Sequence, residues 1–412
     1  MSETKHASLP SWSYLALFLA FFFFYFWNLG AIPQPAWDEP FYLSAARAYL
    51  SHWGPPRNPE HPPLVKLLIA WGIRLFGDRP EAWRLFPVLG GALANTCVVY
   101  LVDRIGRRRG VALFVGACLL LDPFLFVHFR LAILEGPLAA WMMLALAIAV
   151  GIHQGRNYLL ARVALLGLTL GLGLSSKWAM AAVVPPVLLL VLSRLRKQRE
   201  PLEIWAASAA FLLLLPVAVL TLSYVAMGYT LRQTPHVLAF GFNFHRSYQQ
   251  TLPIGSPWYE WFYSGHPRWY AFLRFPSGQV QALLATGNMV LQVAGQLLAA
   301  YALWIRRQSL EAWAVAIALG LQVLLYALKP LTFFHYMVAI LPFIYVLMGV
   351  GIAGLFDRYG DRYRRMLQVD FFLLWLGAFL IFWNYAPFLW GWPVPEERLP
   401  SFSRPIPTEP AK

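Results

Sequence analysis

Apolar residues along this chain fall in long, nearly unbroken runs, separated by short basic turns and two long polar loops. Several runs exceed the roughly 20 residues that a helix needs to cross a hydrocarbon core. The pattern predicts eleven spanning helices, at about residues 12–30, 85–103, 110–129, 131–151, 158–175, 177–194, 203–227, 280–304, 310–328, 331–355 and 368–390. Between the first two lies an opening loop, 31–84. There Pro40 follows the paired carboxylates Asp38 and Glu39, and Phe41, Ala45, Ala48, Tyr49 and His52 fall on one side at helical spacing. That predicts a helix starting just after the carboxylates, with Pro at its first position. After Pro63, Leu64, Leu67, Leu68, Trp71 and Leu75 share a face while Lys66 and Arg74 point away. This second amphipathic helix is expected to lie in the membrane interface without spanning. The other long loop, 228–279, is rich in aromatic residues, Gly and Pro, and suits a sugar-stacking or lid surface and an interfacial loop equally well.

Composition settles the class. The 412 residues are 59% hydrophobic and only 13% charged, more apolar surface than a soluble chain can cover. The expectation is one all-α polytopic membrane domain over 1–390, followed by a Pro-rich tail, 391–412, that is poorly ordered. Trp12–Leu29 is long enough to stay as an anchor where a cleaved leader would be shorter. The net charge of +14 does not point to nucleic acid, because the cations sit in short clusters between apolar runs. Arg104/Arg107/Arg108/Arg109, Arg156/Arg162, Arg194/Arg196/Lys197/Arg199, Arg306/Arg307 and Arg358/Arg362/Arg364/Arg365 all fall on one side in this count. The positive-inside rule makes that side, and the N-terminus, cytoplasmic, in a plasma or inner membrane; both long loops and the tail then face outward. Cys97 and Cys118 lie inside apolar runs, so neither a structural disulfide nor a Cys-based metal site is expected.

The candidate chemistry lies on the outward side. Asp38 or Glu39 can be read simply as a helix N-cap, yet a helix N-terminus also favours the ionised form of a carboxylate that acts as a base. Outward turns should be poor in cations, but Arg130, Lys177 and Lys329 sit there near the boundary. Each alone fits snorkelling to lipid phosphate; three together point to an anionic site. It would be a phosphate site without a Walker loop or a G-x-G-x-x-G turn. Metal ligands are available in Asp38, Glu39, His61 and His335, but no paired-His spacing supports a site. The expectation is no required cofactor, with a divalent metal as the open alternative.

The ordered set Asp38-Glu39, His61-Pro62-Pro63-Leu64-x-Lys66 and Arg84-Leu85-Phe86 resembles the protein O-mannosyltransferases of the GT-C superfamily. So do Leu121-Asp122-Pro123-Phe124 through Arg130 to Glu135, Ser175-Ser176-Lys177-Trp178, Ser256-Pro257-Trp258 with Glu260-Trp261, Gly287-Asn288 and Phe334-His335-Tyr336. The resemblance implies a GT-C bundle and a polyprenyl-phosphate sugar donor, usually carrying mannose. It also implies inverting transfer to a Ser or Thr hydroxyl of a protein at the outer face. On it Asp38 corresponds to the catalytic Asp and Arg130 to an Arg that holds the donor phosphate. Lys177, His335 and Lys329 are further phosphate candidates; Glu39, His61, Lys66, Glu135, Trp178 and Tyr336 complete the candidate set. Glu135 stands where the family usually has Asp, and loop 228–279 is too short for the β-trefoil domain of eukaryotic members. A lipid acceptor, as in the related aminoarabinose transferases, and a polyprenyl-phosphate lipid transporter are the alternatives.

Overall fold

The computed structural model describes residues 8–51, 57–155, 157–247, 255–263, 267–329 and 331–400; His52, Arg156 and the tail from 401 lie outside them. The opening run forms α1 (Ser11–Phe26), and the opening loop carries α2 (Glu39–Ser51) and α3 (Leu64–Phe76). The bundle continues with α4 (Pro80–Gly106), α5 (Arg109–Leu120), α6 (Pro123–Phe129), α7 (Glu135–Gln154) and α8 (Leu159–Leu174). Then come α9 (Val184–Lys197), α10 (Leu202–Ala226) and α11 (Thr234–Ser247). After a hairpin of β1 (Arg268–Arg274) and β2 (Gln279–Ala285) follow α12 (Met289–Ile305), α13 (Leu310–Ala327), α14 (Leu341–Trp390) and β3 (Val394–Pro395).

Six of the described helices are long and apolar enough to cross a membrane, or seven if a bent pair counts as one span. The bent pair is α5 with α6, which meet at 69°. Asp122-Pro123 causes the break. The Asp122 carboxylate accepts from the backbone N–H of Phe124 and Leu125 at 2.9 Å each, opening a new helix with Pro at its first position. Helices α1, α8 and α12 are apolar but shorter, at 16, 16 and 17 residues.

Helix α14 runs for 50 residues but leaves helical geometry at Tyr363. The rings of Phe356 and Phe371 lie 5.8 Å apart, whereas fifteen residues of straight helix would separate them by about 22 Å. The chain therefore folds back at Tyr363, and its two arms are the predicted segments 331–355 and 368–390. The first arm starts later than expected, because residues 334–339 form a 3₁₀ turn. Helices α4 and α7 approach closely through small residues: a Cβ on Gly90 would sit 2.7 Å from the Pro137 nitrogen, and one on Gly136 2.6 Å from the Pro87 oxygen. Helix α10 shows most of its surface outward, a pattern fit for lipid.

Several expectations are corrected. The chain is not purely helical: β1, β2 and β3 form an antiparallel sheet in that order. The predicted span 280–304 begins as β2, and Val280, Ala282 and Leu284 pack with Phe388 and Val394 on one face at period two. Its helix begins only after Asn288, whose side chain accepts from Leu291 N–H. Loop 228–279 holds α11, a short 3₁₀ turn and the hairpin, so it is largely structured. The start of the tail is ordered too, since Val394 and Pro395 pair with β2. Helix α2 buries Tyr42, Leu43, Ala45 and Ala46, while Phe41 is exposed. On helix α3 Trp71 and Leu75 of the apolar stripe face outward, as an interfacial helix requires, although Leu67 is buried; the correction is Lys66, which is buried with Val65, Ile69 and Ile73. A surface that meets lipid, not protein, presents its large apolar side chains to the outside.

Asn288 is a joint in this arrangement. Its amide donates to the Leu121 and Ala378 carbonyls at 2.9 and 3.1 Å, tying the α5–α6 break to the returning arm of α14. Asn288→Ala is expected to cost about 2 kcal/mol or more, because it strips a cap and removes two buried hydrogen bonds between elements. Thermal unfolding of the detergent-solubilised protein reads this, and an unchanged midpoint would count against the joint.

Candidate active site

Two adjacent carboxylates take different environments. Glu39 is fully buried, and its oxygens accept from Arg84 Nε and Nη2 at 2.8 Å each. They also accept from the backbone N–H of Ala36 at 2.8 Å and of Ala132 at 2.7 Å. Arg84 spends its remaining donors on the carbonyls of Leu29 and Ile32, at 2.9 and 2.8 Å. This satisfied ion pair fastens the opening loop to the top of α4 and to the turn before α7. Glu39, expected as a catalytic or capping residue, is thus a positioning group with no lone pair left for substrate.

Asp38 is half-buried, and among the described residues no hydrogen bond engages its carboxylate. Burial pushes its pKa up to about 7; nearby Glu135 pushes the same way and Lys177 opposes. Trp37 turns the chain here with φ of 51°. Its N–H donates to the Tyr270 carbonyl at 3.2 Å, and its ring stacks on that of Tyr270 at 4.2 Å. Strand β1 therefore holds the residue beside Asp38. Sequence reading missed Tyr270 and its partner His128 Nε2, 2.8 Å from the Tyr270 hydroxyl; the only local signal was the aromatic alternation in Arg268–Arg274.

Opposite lies a cationic shelf. Lys177 Nζ donates to Glu135 Oε1 at 2.6 Å. Its ammonium lies 5.2 Å from the centre of the Tyr336 ring, and that of Lys329 lies 4.8 Å from the same centre. The Tyr326 and Tyr336 rings stack at 4.5 Å, so two aromatic faces support two cations. Burial acts to lower Lys177, but Glu135 and Tyr336 outweigh it and hold the ammonium above its ordinary pKa. Lys329 lacks such a carboxylate, and burial, with repulsion from Lys177, lowers it to about 8. His335 packs edge-on to Trp37 and Tyr336. Burial, then Lys177, lowers it well below its ordinary value, so it is a neutral imidazole at neutral pH.

The remaining candidates divide. His61 lies against Tyr42 and 4.8 Å from the ring of His245, a residue sequence reading did not single out. Burial and His245 keep His61 neutral. Lys66 was expected to point away, yet it is buried and donates to the carbonyls of Asn58 and His61 at 2.6 and 2.8 Å. It holds the loop that carries His61, and burial lowers its pKa to about 7. Trp178 Nε1 reaches the Glu60 carbonyl at 3.4 Å, and His245 Nε2 sits 3.1 Å from the same oxygen. Arg130 is not gathered onto the shelf. It donates to the Trp27 and Asn28 carbonyls at 2.9 and 3.0 Å and packs over Phe126, closing the end of α1. Among the described residues no three His, Cys, Asp or Glu side chains converge as a metal-ligand group.

Residues 81–227 match the family described as dolichyl-phosphate-mannose-protein mannosyltransferase. A curated relative from Mycobacterium tuberculosis, a polyprenol-phosphate-mannose–protein mannosyltransferase, is 35% identical over 128 residues, 29% of this chain and 24% of the relative. The chain thus spans about a quarter of the length of the curated relatives it matches. Among solved structures, the Saccharomyces cerevisiae Pmt1-Pmt2 complex bound to the sugar donor superposes with a TM-score of 0.76 at 11% identity, over 94% of this chain and 91% of that one. ArnT from Cupriavidus metallidurans bound to undecaprenyl phosphate gives 0.61 at 18% identity, over 88% and 63%. The chain shares its fold with these two proteins.

Arg84→Met would leave Glu39 buried without its counter-charge, which costs about 3–5 kcal/mol. The expected result is a sharp drop in melting temperature, partly restored by adding Glu39→Gln. A double variant no more stable than the single would show that the pair is not the fastening.

Proposed function

We propose that this chain is an inverting glycosyltransferase that moves mannose from a polyprenyl-phosphate donor to a Ser or Thr hydroxyl of a protein. The observation that carries the reading is the half-buried Asp38 carboxylate, free among the described residues and within electrostatic reach of Lys177, whose ammonium shares the Tyr336 ring with that of Lys329. In the proposed step Asp38 takes the proton of the acceptor hydroxyl while its oxygen attacks the sugar C1 from the face opposite the phosphate. The bond from C1 to the phosphate oxygen breaks, its electron pair leaves with the lipid phosphate, and the anomeric centre inverts. Lys177, fixed by Glu135, and Lys329 offset the charge that grows on that phosphate. Tyr336 supports both cations, and Trp37 and His335 form an aromatic wall for the sugar. The family match, the named mannosyltransferase relatives and the two lipid- or donor-bound GT-C neighbours support this donor class. The site then faces outward from a plasma or inner membrane, as the Arg-rich opposite face favours.

The test is transfer of labelled mannose from synthetic polyprenyl-phosphate mannose by the purified protein, with products partitioned into peptide and lipid. Label in peptide is expected; label in lipid alone would move the acceptor to a lipid, as in the aminoarabinose-transferase alternative. Asp38→Asn is expected to lower kcat by about 10²–10⁴-fold with folding intact. Near-normal turnover would remove Asp38 as the base, and retained lipid translocation without transfer would favour a transporter. Lys329→Met is expected to lower kcat more than it raises KM for the donor, as loss of an interaction that strengthens in the transition state does.

The pH profile has a defined sign. A raised Asp38 pKa near 7 means the base is protonated as pH falls through that value. Turnover should drop about tenfold per pH unit on the acid side, and a flat profile down to about pH 5 would contradict an Asp base of this kind.

A further inference from the structure

At the end of the bundle away from Asp38, a cleft of about 880 Å³ opens between α5 and the fold-back of α14. Arg84 and Arg107 mark the two ends of α4, about 35 Å apart along its axis, so this cleft and the reaction site lie at opposite membrane faces. Its mouth carries Arg107, Arg108, Arg109 and Arg364. Its walls are apolar: Phe114 and Ala117 from α5 face Phe371 and Trp375 from the returning arm.

Part of the charge at this mouth, that of Arg107 and Arg364, is not balanced locally among the described residues. Arg108 Nε donates to Asp357 Oδ1 at 2.6 Å, but that carboxylate is shared with Arg306. Among the described residues neither Arg107 nor Arg364 has an ion-pair partner, and both are exposed. Cations gathered over an apolar slot at a membrane boundary match a ligand with an anionic head and hydrocarbon behind it. A soluble anion would leave the aromatic walls unused, and a neutral lipid would leave the arginines unused.

The wall also depends on the fold-back. Phe371 touches both Phe114 and Phe356, at 5.7 and 5.8 Å, so the slot exists because the two arms of α14 lie side by side. An occupant seated there would touch α5 and both arms at once.

We propose that this cleft seats one phospholipid of the adjoining leaflet, its phosphate against the arginines and its acyl chains along the aromatic walls. The seat is independent of the transfer reading, since none of its residues belongs to the Asp38 site. Native mass spectrometry of the full chain, released from micelles doped with phosphatidylglycerol or phosphatidylcholine, tests it. Phosphatidylglycerol adducts are expected to exceed phosphatidylcholine adducts. Arg107→Gln/Arg364→Gln, at exposed positions, should lower phosphatidylglycerol retention about tenfold. Gln368→Trp keeps the charge and fills the slot, and should lower retention comparably. Equal retention of the two lipids, or full retention by the arginine variant, would overturn the seat. Loss in the arginine variant but not in Gln368→Trp would overturn it too, by showing a surface-charge effect only. Displacement of phosphatidylglycerol by equimolar undecaprenyl phosphate would assign the cleft to the polyprenyl lipid and overturn the phospholipid as its occupant.

Discussion

The buried Glu39–Arg84 pair is the constraint from which the site follows. One guanidinium binds the carboxylate with two nitrogens and the end of α1 with a third, while the carboxylate reaches the turn before α7. Buried ions are tolerated only when every donor and acceptor is used, and here they are. The loop between α1 and α2 has no regular structure at 31–38. Its shape is set by this pair and by the contact of Trp37 with Tyr270. With Glu39 fixed, its neighbour Asp38 is held within electrostatic reach of Glu135 and Lys177.

The arrangement separates two duties that adjacent residues could otherwise confuse. Glu39 is saturated with partners and contributes position. Asp38 has none among the described residues, which on the proposed reading leaves it free to react. Lys177 and Lys329 show the same division, because Lys177 has Glu135 to keep it charged whereas Lys329 depends on aromatic faces alone. A shelf with one fixed and one tunable cation suits a ligand whose negative charge grows during reaction.

Much of this was legible in the sequence. Hydrophobic runs located the bundle, and the unexpected outward cations pointed to Lys177 and Lys329 before any coordinates. What could not be read was which side of a short helix faces protein. On α3 the apolar stripe is real, but it meets the surroundings, and buried Lys66 sits on the other side. Periodicity identifies a stripe without saying whether protein or lipid covers it, since both are apolar. Arg130 shows a related ambiguity: an isolated cation near the boundary can signal an anion, and here it also meets the partial negative charge of the carbonyls that end α1. The hairpin was hidden because Gln279–Ala285 reads as the start of a helix when followed by one. Tyr270, His128 and His245 reach the site only through pairings distant in sequence.

Those distant pairings bear on the order in which the molecule becomes competent. The Gln281 amide donates to the carbonyls of Ala31 and Gly391 at 2.8 Å each, joining the opening loop, the hairpin and the segment after α14 at one point. Contacts between residues so far apart form late, because the intervening chain must first be in place. The wall beside Asp38 is therefore finished only when the last helix has returned to this face. On the proposed reading, a partly inserted chain would hold the Asp38 carboxylate without the wall beside it, and so would stay silent until its folding is complete.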